Sequence, residues 1–128
     1  MSAGYDERLE PEECRRLLSS RSVARVAFQS ESGDVLVLPV TYTMEEPNVL
    51  VFRTSLNGVL SHLADGGRVS IQVDDVSEDL RNGWSVLAHG HGARYEGEVS
   101  LESWVVGHDQ LLIGITLDRL SGRAVSAG

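Results

Sequence analysis

The segment Val51-Phe52-Arg53-Thr54-Ser55-Leu56-Asn57-Gly58 offers the most suggestive chemistry in the chain. A strand-like run delivers an arginine and two hydroxyls onto what the spacing predicts to be a helix N-terminus. Unpaired backbone N–H groups and the positive end of a helix dipole attract anions, and Arg53 could add a bidentate, charge-assisted pair, so the segment is a candidate phosphate cradle. The competing account is structural: Ser55 or Asn57 only caps the helix, and Arg53 is a solvated charge at a strand end.

A second candidate is Gly83-Trp84-Ser85-Val86, where an indole could stack on a ring and a neighbouring hydroxyl could donate to it. An ordinary core tryptophan explains the same residues. His89 and His91 stand two apart, which puts both on one face of a strand. Neither a CxxC pair, an HExxH motif nor a carboxylate at fixed offset accompanies them, so a polar strand face is favoured and no metal site is assigned. His62 falls on the segment after the phosphate candidate, and His108 falls in a loop. Asp74-Asp75 with Glu78-Asp79 lacks the glycine and terminal glutamate of a calcium loop and is taken as solvated charge. Neither a nucleophile elbow nor an activated cysteine can be recognised.

These residues need elements to position them. Pro11 with Glu12 and Glu13 marks a helix start, and Cys14, Leu17 and Leu18 line one face of a short helix ending near Ser20. Ala24, Val26 and Phe28 share one face of a strand, and Ser30 to Asp34 carries turn chemistry leading into a hairpin. Val35 to Tyr42 is apolar on both faces, as a central strand would be, and Pro39 within it predicts a bulge or a lost ladder bond. After the strand Val49–Thr54 the period changes: Leu56, Val59, Leu60 and Leu63 recur at helical spacing up to Gly66-Gly67. Val69, Ile71 and Val73 alternate with polar residues as a half-buried strand. Trp84 to Arg94 predicts another strand, bent at Gly90 and Gly92, and Leu111–Leu117 with Leu120–Val125 supplies two final extended segments. Short strands with two helices predict a mainly β, closed or nearly closed antiparallel barrel. Residues 1–128 form a single domain in which 1–8 and 121–128 are expected to fray.

The 128 residues carry 19 acidic and 11 basic side chains, for a net charge of −8. That field repels phosphate backbones and anionic bilayers, so neither nucleic acid nor membrane is expected as a partner. Every basic residue is arginine, which excludes a Schiff-base lysine and a Walker-type loop. Cys14 is the sole cysteine and can form no internal disulfide. Without an apolar leader or a run of about 18 apolar residues, a cytoplasmic location is expected.

In order and spacing, Glu13 to Leu18, Val23 to Phe28, Leu38-Pro39-Val40-Thr41-Tyr42, Val51 to Thr54, Val73-Asp74-Asp75 and Gly83 to Val86 together resemble the pyridoxamine 5′-phosphate oxidase-like flavin-binding split barrels. The resemblance is in particular to the small bacterial branch that also looks like nitroimidazole reductases. The resemblance covers most of the chain and implies a six-stranded antiparallel Greek-key split β-barrel with a few short helices. It also implies a homodimer with flavin mononucleotide (FMN), or alternatively a deazaflavin, in a cleft between subunits. By the same analogy Arg53, Thr54 and Ser55, with Asn57 beside them, would address the phosphate. Pro39, Val40 and Thr41 would run along the isoalloxazine ring through backbone contacts, and Trp84 and Ser85 would approach from the neighbouring strand. The implied activity is that of an oxidoreductase acting on a small-molecule redox substrate, with the reactive atom on the cofactor and no catalytic side chain assigned.

One departure concerns Val59, where the family often has a lysine. A missing charge-assisted bond of about 1.5–3 kcal/mol lowers affinity by about one to two powers of ten. That departure keeps a cofactor-free ligand-binding or assembly module open as an alternative, and a haem site using His62, His89 or His91 as axial ligand is a more distant one.

Overall fold

A computed structural model describes residues 4–99, 101 and 110–128. Its elements in chain order are β1 (Tyr5–Arg8), α1 (Pro11–Ser19), β2 (Val23–Gln29), β3 (Val35–Glu46), β4 (Val49–Ser55), a 3-10 turn (Ser61–Asp65), β5 (Arg68–Ser77), β6 (Asn82–Arg94) and β7 (Gln110–Ser126). All strand pairings are antiparallel, and β2, β3, β4, β7, β6 and β5 pair in that cyclic order until β5 meets β2 again. Six strands thus close a barrel, and β1 adds a seventh beside the C-terminal half of β7. The connection from β4 to β5 crosses between non-adjacent strands, giving the split-barrel topology that the family resemblance implies.

Period-two alternation builds the interior. Ala24, Val26 and Phe28 from β2 and Val69, Ile71 and Val73 from β5 point inward, where they meet Leu50, Phe52, Ile113 and Ile115. Each of the valine, leucine, isoleucine and phenylalanine side chains among them contributes roughly 1.5–3 kcal/mol by leaving water. Helix α1 closes one end of the barrel. Its proline occupies the first turn, Glu12 and Glu13 complement the positive end, and Cys14, Leu17 and Leu18 are buried against the strands. Burial raises the Cys14 thiol pKa above its usual value. The thiol sits close under β7: a Cβ on Gly122 would come within 2.9 Å of its sulfur. The buried Tyr42 hydroxyl donates to the carbonyl of Leu18 and ties β3 to the helix.

Several expectations change. In place of the helix predicted after β4, Gly58 N–H donates to Ser55 O (3.1 Å), Ser61 N–H donates to Gly58 O (3.0 Å), and a five-residue 3-10 turn follows. Only Leu60 and Leu63 of the four apolar residues are buried, and a three-residue interval suits a 3-10 repeat. Gly66 and Gly67, with φ of 110° and 116°, then turn the chain into β5. The two final segments are one strand, Gln110–Ser126, and the irregularity lies in its pairing at His89/Gly90. Within the two ends expected to fray, Tyr5–Arg8 pairs with Arg123–Ser126, which also pairs with β6 on its other edge.

Strand β3 differs most. Its inner face is buried from Val40 to Tyr42, but its outer face is bare, with Val35 72% and Val37 58% exposed. Pro39 makes no bulge; the register shifts between Met44 and Glu46 instead. Tyr42 N–H donates to Ser22 O, so the even-numbered residues of β3 exchange the ladder bonds with β2, and Pro39 costs none of them. The backbone groups of Val35 and Val37 point the other way, towards β4, whose pairing with β3 begins only at Tyr42. Among the described residues, that stretch is an open sheet edge.

Candidate functional site

Arg53 projects from the end of β4, half-buried, and its Nε donates to Leu101 O at 3.3 Å. It has no carboxylate partner among the described residues. Thr54 lies against the following turn, with its hydroxyl oxygen 3.5 Å from where a Cβ on Gly58 would sit. Ser55 is exposed, and its carbonyl accepts from Gly58 in the turn that also contains Asn57. The cradle therefore keeps its arginine, its hydroxyls and a tight turn but lacks a helix dipole, because no α-helix starts there. Val59, 56% exposed at the rim of that turn, supplies no charge.

Pro39 and Thr41 belong to the outer face of β3, and Val40 points into the core. The Val23, Arg25, Ala27 and Gln29 side chains of β2 continue that outer face, followed by Arg68, Ser70, Gln72 and Asp74 of β5. Arg53 on β4 and Pro39–Thr41 on β3 thus sit on adjoining strands, next to the open edge.

Trp84 and Ser85 do not join them within one chain. They lie on β6, three strands from β3 by way of β2 and β5, a path of about 14 Å around the barrel wall at 4.7–4.9 Å per strand. The Trp84 ring is partly buried against the core, with the Arg21 guanidinium 5.7 Å from its centroid, and Arg21 in turn pairs with Asp75. Ser85 faces outward beside Arg123 of β7.

The remaining candidates have ordinary partners. His89 shares a hydrogen bond with Ser70 at 2.8 Å, whereas His91 lies 3.2 Å from Arg68 and 3.3 Å from Asp118. His62 Nδ1 is 2.6 Å from Val59 O, and its ring packs on Phe28 at 5.3 Å. Asp74 and Asp75 lie on β5 and not in a loop, and they pair with Arg25 and Arg21. His108 lies outside the described residues. No group of three metal-binding side chains assembles among the described residues, and no helix there is long and apolar enough to cross a membrane.

Two features escape the linear sequence. The open edge at Val35–Val37 depends on where β4 begins to pair. A recess around Arg8, Gln72, Ser121 and Arg123 draws on β1, β5 and β7, and no local motif announces it.

A closed six-strand barrel with one split edge, stoppered by a short helix, defines the class as a split β-barrel. A family model for pyridoxamine 5′-phosphate oxidase matches residues 10–124, and the chain belongs to that family. Among solved structures, a Corynebacterium glutamicum protein provisionally described as a pyridoxamine 5′-phosphate oxidase superposes with a TM-score of 0.77 at 19% identity, covering 96% of this chain and 95% of that one. A Mycobacterium smegmatis protein described as FAD-binding superposes at 0.75 with 20% identity, over 94% and 98%. A Mesorhizobium loti protein described as FAD-binding superposes at 0.74 with 21% identity, over 97% and 99%. These likenesses establish the shared fold. No curated protein sequence matches the chain.

Proposed function

We propose that the chain is a flavin-binding oxidoreductase that holds FMN with its phosphate at Arg53, Thr54, Ser55 and Asn57 and its ring along Pro39, Val40 and Thr41. The observation that carries this is a half-buried arginine with no carboxylate partner among the described residues, next to an open sheet edge. Guanidinium and hydroxyl donors suit a phosphate dianion. When bound, the flavin supplies hydride or electron transfer, and the chain supplies orientation and local electrostatics. The substrate class is a small redox-active molecule. Membership of the family supports a flavin. The two solved structures described as FAD-binding favour a second reading, in which the same edge accepts FAD.

The functional unit in this proposal is a homodimer formed over the outer face of β2 and β3. Val23, Val35, Val37 and Pro39 make an uncovered apolar strip there, of a kind that marks an interaction surface when contiguous. A lone buried thiol supports a reducing, cytoplasmic setting.

The test is titration of FMN, FAD and a deazaflavin into cofactor-stripped protein, following cofactor fluorescence, with Arg53→Ala in parallel. Saturable binding that the substitution weakens by about 10- to 100-fold, the equivalent of one charge-assisted bond, is expected. If none of the three binds, or if Arg53→Ala binds as tightly as the parent, the assignment fails.

A further inference from the structure

On the outer wall, where β1 runs into α1 beside β6 and β7, lies a recess of about 690 Å³. That volume falls within the range of small-molecule sites. Its polar wall is made by Arg8, Gln72, Ser85, Ser121 and Arg123, and Leu9, Leu87 and Leu120 give it apolar surface.

The charge arrangement is unusual for a chain of net charge −8. Arg8 and Arg123 are direct cross-strand partners in the β1–β7 ladder, a like-charge juxtaposition that costs stability. Asp6 relieves only one of them, accepting from Arg123 at 3.0 and 2.6 Å. Arg8 has no carboxylate partner among the described residues. Glu10 lines the rim and forms no ion pair with it among those residues. The Gln72 amide and the hydroxyls of Ser85 and Ser121 likewise have no side-chain hydrogen bond among the described residues. Among the described residues, one guanidinium without an ion pair and three neutral polar side chains therefore line a cavity that also has apolar surface.

We propose that this recess binds a small molecule with an anionic head, phosphate or carboxylate, on a compact apolar body. Arg8 grips the head through paired N–H donors, Gln72, Ser85 and Ser121 donate to its remaining oxygens, and the body lies on Leu87 and Leu120. Arg53 lies on another strand and takes no part, so this site stands or falls independently of the flavin assignment.

The experiment titrates phenyl phosphate, benzoate and benzyl alcohol into the full chain, followed by amide NMR shifts that include the Gln72 side chain. Saturable binding of phenyl phosphate or benzoate is expected, with the tighter of the two naming the head group and benzyl alcohol at least tenfold weaker. Arg8→Ala should weaken the anion at least tenfold, Ser121→Leu should block it by filling the recess from an outward position, and Arg53→Ala should leave it unchanged. Absence of saturable binding by both anions, equal affinity for benzyl alcohol, indifference to both Arg8→Ala and Ser121→Leu, or loss of binding in Arg53→Ala would each overturn the proposal.

Discussion

Replacing Tyr42 by phenylalanine removes one oxygen and should make the stability difference from the parent change sign with pH. The Tyr42 hydroxyl is buried and donates to the Leu18 carbonyl, joining β3 to α1. Burial, against a smaller opposing effect of Arg21, raises its pKa from 10 to about 12. At neutral pH, Tyr42→Phe loses that bond and leaves Leu18 O without it, a cost of about 1–2 kcal/mol. Alkaline pH reverses the balance. The folded state holds the phenolic proton more tightly than the unfolded state, so the unfolded chain binds fewer protons above pH 10 and parent stability falls as pH rises. At up to about 1.4 kcal/mol per pH unit, this loss reaches roughly 2.3 kcal/mol by pH 12. The variant lacks the group and escapes this term. The two stabilities should therefore converge near pH 11, beyond which the variant becomes the more stable. Cys14, whose pKa burial also raises, weakens both proteins alike at high pH and cancels in the difference. Urea unfolding of both proteins at pH 7, 9, 10 and 11, followed by circular dichroism, measures the gap directly. A gap that stays constant across that range would refute the reasoning.

Two further outcomes follow from the same geometry. Val59→Lys restores a cation at the exposed rim of the turn after Arg53 and should tighten FMN binding by about tenfold, read by fluorescence titration; unchanged affinity would mean that the phosphate does not lie there. Val37→Asp puts a charge in the middle of the bare outer face of β3 and should convert a dimer to monomer at micromolar concentration in sedimentation velocity, with its circular dichroism intact; an unchanged mass would place the interface elsewhere.

Much of the barrel could be read directly from the chain. Alternation at Ala24, Val26 and Phe28, and again at Val69, Ile71 and Val73, predicts the inward faces because side chains on a strand point to opposite sides at every step. Pro11 with Glu12 and Glu13 predicts the start of α1 for an equally local reason. Arg53, Thr54 and Ser55 stand together because they are consecutive.

Other features arise only on folding. Leu56, Val59, Leu60 and Leu63 fit a helix by spacing, yet turn bonds at Gly58 and the need to bury just Leu60 and Leu63 favour a 3-10 turn. Val35 and Val37 look like the second face of a buried strand, and nothing in their neighbours along the chain indicates that this face stays uncovered. Tyr5–Arg8 has no apolar pattern to mark it as a strand; it forms because β7 extends past the end of β4 and presents a free edge. Local sequence determines which way a side chain points and where a helix begins, because those depend on dihedral angles and on neighbours within a few residues. Barrel closure and strand register decide which distant residues meet, and they separate Ser85 from Arg53 while bringing Arg8, Gln72, Ser121 and Arg123 around one recess.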